Sequence, residues 1–380
     1  MNPSTLALIT AHAGTLTGFR APLIRTLHAR GVRVLALAPN FDEASRAAVR
    51  ALGAEPIDSP MVRTGMNPFV DAIDTWRLAR LLRRLRPDVV LSYAAKPVVF
   101  GSIAAKLAGV PRCVAMVEGL GYVFTASPTG FNRKQRLLQR VVLGLYRAGM
   151  ACAQRVIFLN PDDRAQLQAA GVVAAGKTCL LGGIGVDLGA WPALPLPPNA
   201  AAPVFLMVAR LLREKGVAEY ATAARLVKAQ QPQARFVLLG GLDDNPGAIT
   251  QVQVEDWCAD GALEWQGHTA VQPWLAQSHV FVLPSYREGL PASTQEAMAS
   301  GRAVITSDVP GCRETVVDGV NGFLVPPYDA QALAAAMLRF IEQPDLIASM
   351  GAKSRQMAEE KYDVHKVNTV MLRELGLGDI

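Results

Sequence analysis

Short apolar runs alternate with amphipathic stretches along almost the whole chain, and few architectures accommodate that rhythm. In the first half, "LALIT", "VRVLALA", "DVVLSY", "RCVAMV" and "RVIFL" read as buried strands. Helices are predicted around residues 18–30, 41–52, 68–85, 98–108, 133–150 and 161–170. Strands that are apolar on both faces and alternate with helices build βαβ units around a parallel sheet. Residues 189–203, "GAWPALPLPPNAAAP", break the rhythm with five prolines, which exclude a helix or a central strand there. The alternation then restarts with "VFLMVA", "RFVLLG", "LEW", "HVFVLP" and "AVITS". Helices fit around residues 215–230, 248–259, 291–299, 329–342 and 344–361.

A chain of 380 residues, 51% hydrophobic and 18% charged, has the material for two cores. The expected class is α/β, with two Rossmann-like parallel-sheet domains facing each other across a cleft. The first domain is expected over residues 1–188, a Pro-rich linker over 189–203 and the second domain over 204–360. A helical tail, 361–380, is expected to pack back on the first domain. Ligands of such open sheets bind outside the carboxyl ends of the strands.

Charge is shared unevenly. Residues 1–190 carry 23 basic and 11 acidic side chains, and the rest carry 15 and 21. A basic half suits nucleic acid, an anionic membrane or a phosphorylated ligand. The five cysteines form no CxxC and are odd in number, so reduced thiols are expected rather than a disulfide frame or a zinc site. The opening "MNPSTLALITAHAG" lacks a positive leader region, and residues 5–10 read as a first strand rather than a cleaved signal. No apolar run reaches the roughly 18 residues of a membrane span.

No GxxxxGK[ST] occurs, and no intact GxGxxG follows the first strand, which argues against a P-loop NTPase and a dehydrogenase. "HAGTLTGFR" joins strand one to helix one through Gly14 and Gly18, as a plain tight turn or as an anion-approaching loop. In the second half "VARLLREKG" puts Arg210 and Lys215 just beyond a strand's C-terminal end. A guanidinium and an ammonium there can share a diphosphate, or can be ordinary solvated charges. Glu288 and Glu296 sit eight apart, one before a helix and one inside it. Such carboxylates can grip sugar hydroxyls or act in glycoside hydrolysis, and spacing alone does not separate these roles from two surface glutamates.

Taken in order, "ARLLREKG", "LLGG", "WQGH", "VFVLPSYREGLP…QEAMASG", "AVITSDVPGCRETVVDG" and "NGFLVPP" resemble the retaining GT-B glycosyltransferases of family 4. That family's hallmark is a Glu-x7-Glu pair, here Glu288 and Glu296. The first half, through "GFR", "DVVLSYAAKPVVFGSIAAKLAGVP" and "EGLGYVFT", resembles bacterial members that extend undecaprenyl-diphosphate-linked saccharides.

The resemblance implies a donor site on the second domain. Arg210 and Lys215 would contact the donor diphosphate. Glu288 would hold hydroxyls of the transferred sugar, with the Gly289–Leu290 backbone near sugar and phosphate. Glu296 would hold the ribose, Gly267 and His268 would lie beside the base, and Gly14 would lie near the diphosphate. Relatives often carry a basic residue where this chain has Ala292 and a proline where it has Ala303.

No Asp-x-Asp occurs, and the two cations can neutralise the diphosphate, so no metal or cofactor is expected. His12, Lys96 and Glu118 end first-domain strands and are candidates for the acceptor side. The sequence assigns no general base for the acceptor hydroxyl; in the same-face displacement that the resemblance implies, the departing diphosphate itself helps take the proton. His279 opens an apolar strand and reads as structural.

"FNRKQRLLQRVVLGLYRAGMA" has five basic residues and no acid, with Leu137, Leu138, Val141, Val142 and Leu145 on one helical face. "DTWRLARLLRRLRPD" adds a second basic cluster beside Trp76. Basic amphipathic helices lie on anionic membranes.

The resulting expectation is a transferase taking N-acetylgalactosamine or galactose from a UDP-sugar to a polyprenyl-diphosphate-linked glycan. It would work in the cytoplasm, peripherally on the inner face of the membrane, and would bind no nucleic acid. The first domain would meet acceptor and membrane. An epimerase of the same fold would turn over UDP-sugar without acceptor. A non-catalytic sugar- or lipid-binding subunit would tolerate loss of Arg210 or Lys215. A glycosidase would be indifferent to UDP.

Overall fold

Two parallel sheets organise the chain, one in each of two contact units. A computed structural model describes residues 4–61, 67–198, 202–243, 245 and 247–378. The first unit comprises Met1–Phe124, Gly130–Gly185 and Val364–Ile380, and the second comprises Thr125–Thr129 and Val186–Asp363.

The first unit has seven strands: β1 (Thr5–Ile9), β2 (Arg33–Ala38), β3 (Ala54–Asp58), β4 (Val89–Tyr93), β5 (Arg112–Val117), β6 (Arg155–Phe158) and β7 (Thr178–Leu180). Their order is β3-β2-β1-β4-β5-β6-β7, all parallel, so the winding reverses between β1 and β4. Successive side chains point to opposite faces of a strand. Ala7, Ile9, Leu35, Leu37, Val90, Ala115, Val117, Val156 and Phe158 share one core with the helices Pro68–Leu85, Ser102–Ala108 and Arg133–Cys152.

Two edge strands are absent from the sequence expectation. β3, "AEPID", carries Pro56, which only an edge position tolerates, and β7 spans three residues. The helix expected over 98–108 begins as a π-turn, Pro97–Gly101.

The helix Val364–Leu375 belongs to this unit. The Arg112 guanidinium donates to the Glu374 carbonyl at 2.8 Å, and Arg155 pairs with the Glu374 carboxylate at 2.7 Å.

The second unit has β8 (Val204–Val208), β9 (Arg235–Leu239), β10 (Glu264–Trp265), β11 (Val280–Leu283), β12 (Ala303–Ser307) and β13 (Gly322–Val325). The order is β10-β9-β8-β11-β12-β13, again parallel, with the reversal between β8 and β11.

The Pro-rich segment is strapped to this unit rather than running free. The fully buried Arg302 donates to the carbonyls of Leu194, Pro195 and Leu275 at 2.9–3.0 Å. Arg355 holds the Trp191 carbonyl at 3.0 Å and Gln272 the Ala190 carbonyl at 2.6 Å. Residues 199–201 of the expected linker lie outside the described residues. His279 fits its structural reading, accepting the Val204 amide on Nδ1 at 3.0 Å.

Candidate active site

The reversal between β8 and β11 leaves a gap at the C-terminal edge of the second sheet, because the connections from these neighbours run to opposite sides. Lys215 arrives on the short 3-10 turn Arg213–Lys215 after β8, and Glu288 lies in the loop after β11. They meet there, with Lys215 Nζ 2.5 Å from Glu288 Oε1 and both side chains mostly buried. The Ser285 hydroxyl donates to the same oxygen at 2.8 Å.

Two glycines make the meeting possible. Gly216 has φ +72, and a Cβ there would sit 2.1 Å from the Pro284 carbonyl oxygen. Gly311 has φ +82, and its Cβ would sit 2.3 Å from the Glu288 carbonyl oxygen. Gly216→Ala is expected to push the Lys215 turn off the β11 loop at a cost of roughly 1–3 kcal/mol. Weaker UDP binding and a lower melting temperature together would show this; an unchanged pair would refute it.

Arg210, directly beyond β8, is half exposed and pairs with Asp243 at 2.9 Å. Asp243 also accepts from Asn245 N at 3.0 Å. Arg210 and Lys215 thus each carry a carboxylate partner of their own. Ser285 and Asp243 were not singled out in the sequence; the one signal for Asp243 was an acid just after the glycines that follow β9.

Glu296 lies on the helix Ala292–Ala299, whose N-cap Pro291 offers no side-chain cap. Burial pushes its carboxyl up to about 7. Gly289 and Leu290 are buried in the loop leading into this helix. The other loops of this edge adjoin: Gly240 N donates to Gly267 O at 2.8 Å, and Leu211 N to Gly241 O at 3.2 Å. Gly267 turns with φ +69 and His268 is exposed. Arg210, Lys215, Gly267, His268, Glu288, Gly289, Leu290 and Glu296 therefore all lie beyond the carboxyl ends of the second sheet.

His12, Gly14, Lys96 and Glu118 occupy the equivalent edge of the first unit, after β1, β4 and β5. Their geometry differs from a row of open contacts. His12 Nδ1 accepts the Gly14 amide at 3.0 Å, so the turn itself uses the group expected near a diphosphate. Lys96 pairs with Asp71 at 2.7 Å, both largely buried. Glu118 pairs with Arg20, which is fully buried.

Two family models match the chain: "Glycosyl transferase 4-like domain" over residues 19–182 and "Glycosyl transferases group 1" over residues 202–343. The chain is 31% identical over 385 residues to the N,N'-diacetylbacillosaminyl-diphospho-undecaprenol alpha-1,3-N-acetylgalactosaminyltransferase of Campylobacter jejuni, covering 97% of each. It is 28% identical over 275 residues to the UDP-Gal:alpha-D-GlcNAc-diphosphoundecaprenol alpha-1,3-galactosyltransferase of Escherichia coli, covering 69% of this chain and 68% of that protein. Among solved structures, the sucrose-phosphate synthase of Thermosynechococcus elongatus matches with a TM-score of 0.77 at 22% identity, covering 97% of this chain and 98% of that one. Anabaena HepE in complex with UDP and glucose matches at 0.75 and 19%, covering 98% and 99%. At such identities the likeness speaks for the fold.

Proposed function

The chain belongs to the GT-B glycosyltransferases of family 4, and from that premise we propose that it moves a hexose or N-acetylhexosamine from a UDP-sugar to an undecaprenyl-diphosphate-linked saccharide. N-acetylgalactosamine and galactose lead as donors, because the two full- or long-coverage relatives are named for them. The observation that carries the reading is the cluster at the second sheet's edge: two cations each paired with a carboxylate, and on the next helix a carboxyl whose burial raises its pKa to about 7.

In this reading the donor diphosphate takes Arg210 and Lys215 from Asp243 and Glu288. Glu288, freed from its lysine, accepts hydroxyls of the sugar being transferred. Glu296 accepts the ribose hydroxyls, and Gly267 and His268 flank the base. Retention follows from a same-face displacement. The acceptor hydroxyl oxygen bonds to the anomeric carbon as the carbon–diphosphate bond breaks on the same side. The hydroxyl proton passes to the departing diphosphate, leaving UDP and the glycoside. The two cations neutralise the charge that grows on the leaving group, so the reading assigns no metal or other cofactor.

The reading extends to a membrane. Among the described residues no helix is long and apolar enough to cross one. The helix Pro68–Leu85, however, is inverted over its first half: Asp71 and Asp74 are buried, while Phe69, Val70, Ile73 and Trp76 are 43–80% exposed. Arg80 stacks on Trp76 with Cζ 4.7 Å from the ring centroid. On the helix Arg133–Cys152, Leu137 and Val141 are exposed among Arg133, Lys134, Arg136 and Arg140. Leu138, Val142 and Leu145, expected on that outer face, are half-buried.

Aromatic side chains ringed by arginines suit an anionic lipid surface on the cytoplasmic side. Phe69→Ser with Trp76→Ser is expected to cut binding to anionic vesicles by at least about tenfold, since each ring is worth about 1.5–3 kcal/mol when buried. Co-sedimentation equal to wild type would remove the surface from the reading.

The function itself is tested by incubating the protein with UDP- and GDP-sugars and a short-chain polyprenyl-diphosphate saccharide, read by mass. A glycosylated acceptor is expected. Epimerised donor without acceptor would favour an epimerase, and no turnover with any donor would overturn the reading.

A further inference from the structure

Two arginines are among the largest fully buried side chains, and they are held in opposite ways. Arg302 gives all its hydrogen bonds to main-chain carbonyls, the pattern of a structural clamp. Arg20 gives none to the main chain among the described residues. Its guanidinium reaches the Glu118 carboxylate and the Met116 sulfur, and lies 5.0 Å from the Tyr93 ring centroid. Its Nε is buried with no hydrogen-bond partner among the described residues.

A buried ion pair is a weak source of stability, and apolar residues of similar size often replace one without loss. An unpartnered buried N–H adds a further cost of about 1–3 kcal/mol. Stability alone therefore does not account for the pair. Its effect is on Glu118, whose side chain remains 21% exposed at the end of β5. Tyr93, the fully buried ring under the Arg20 guanidinium, hydrogen-bonds Thr15 at 3.2 Å, and Thr15 hydrogen-bonds Thr10 at 3.1 Å. The carboxylate is thus held by Arg20 while staying partly exposed, at the edge of the first sheet where ligands of such sheets bind.

We propose that Glu118 is a fixed hydroxyl-binding carboxylate for a saccharide, and that Arg20 is its positioning residue. The inference rests on the glycosyltransferase reading. A carboxylate locked in place accepts sugar hydroxyls without first losing side-chain freedom, which favours affinity. The sugar is either the acceptor's or the one carried by the donor, and the two sources separate experimentally.

The test uses full-length protein as wild type, Glu118→Gln, Arg20→Lys, and the apolar pair Arg20→Met with Glu118→Leu. The probes are UDP, UDP-N-acetylgalactosamine and a short-chain polyprenyl-diphosphate-linked diacetylbacillosamine. For Glu118→Gln, an acceptor KM raised about tenfold or more with UDP-sugar affinity unchanged assigns the acceptor sugar. UDP-sugar affinity lowered as much, with UDP affinity unchanged, assigns the donor sugar. Arg20→Lys should shift the same constant in the same direction, by less.

The apolar pair should melt at or above wild type and still show the full defect, which no merely structural role produces. Its recovery of wild-type constants would overturn the inference, as would Glu118→Gln with both constants unmoved. Wild-type protein that transfers no sugar from any donor overturns the functional reading and this inference with it, whereas active wild type with insensitive variants overturns the inference alone.

Discussion

Lys215→Ala is expected to lower kcat for sugar transfer by about 10²–10³-fold, with little change in acceptor KM. The lysine sits at the sheet reversal, 2.5 Å from Glu288 and mostly out of solvent, where a charge is weakly screened. Charge on the diphosphate grows as its bond to the sugar breaks, so an ammonium fixed beside it binds the transition state more tightly than the donor. That difference appears in kcat.

A second explanation would also slow the enzyme: without Lys215, Glu288 is left as a buried carboxylate lacking its counter-charge. Combining Lys215→Ala with Glu288→Gln separates the two. If neutralising Glu288 were the lysine's task, the double variant would recover turnover. If the lysine serves the diphosphate, the double variant stays as slow as the single or slower. Lys215→Arg keeps the charge but spreads it over a planar fork, and should recover only part of the rate. Folded Lys215→Ala protein with wild-type kcat would end the diphosphate role.

The two-sheet plan could be read from the apolar runs because central parallel strands are buried on both faces and show as continuous stretches. β3 and β7 escaped because edge strands lack that pattern: one carries Glu55, Pro56 and Asp58, the other is three residues long. β13, "GFLV", was recognisable only inside a family motif. Single candidate residues were visible where they follow a strand, as Arg210, Lys215 and Glu288 do. Their partners were not. Lys215 meets Glu288 across 73 residues and Arg20 meets Glu118 across 98, and only the strand order brings such pairs together. The exposure of Phe69 and Ile73 was not legible either, because apolar side chains at helical spacing ordinarily face inward. Here the inner face is claimed by Asp71, which is paired with Lys96.

Glu296 supplies the other large effect, a pH dependence with a definite sign. Burial alone holds its carboxyl up to about 7, against an ordinary value of 4.5, so the free protein keeps the proton through mildly acid solution. On the proposed placement, ribose hydroxyls donating into the carboxylate would favour its charged form, so binding would lower this value and release a proton. Affinity for a UDP-sugar should therefore rise with pH up to about 7, by at most about tenfold per unit, and level off above. A UDP-sugar is the right ligand because its diphosphate ester has no group titrating near neutrality.

Stability follows the opposite course. The unfolded chain ionises Glu296 first, so the group's contribution is fully present below 4.5 and is lost as pH rises through about 7. Complete loss is on the order of 3 kcal/mol. Bound UDP-sugar should remove part of that loss. Calorimetric titration near pH 6 in two buffers of different ionisation enthalpy counts the released proton directly. Wild type should release a substantial fraction of one, and Glu296→Gln none. An identical slope in the glutamine variant would assign the titration to another group, and a flat wild-type profile would mean that the ribose does not engage this carboxylate. Either result would take Glu296 out of the donor site while leaving the diphosphate cluster to be judged on Lys215.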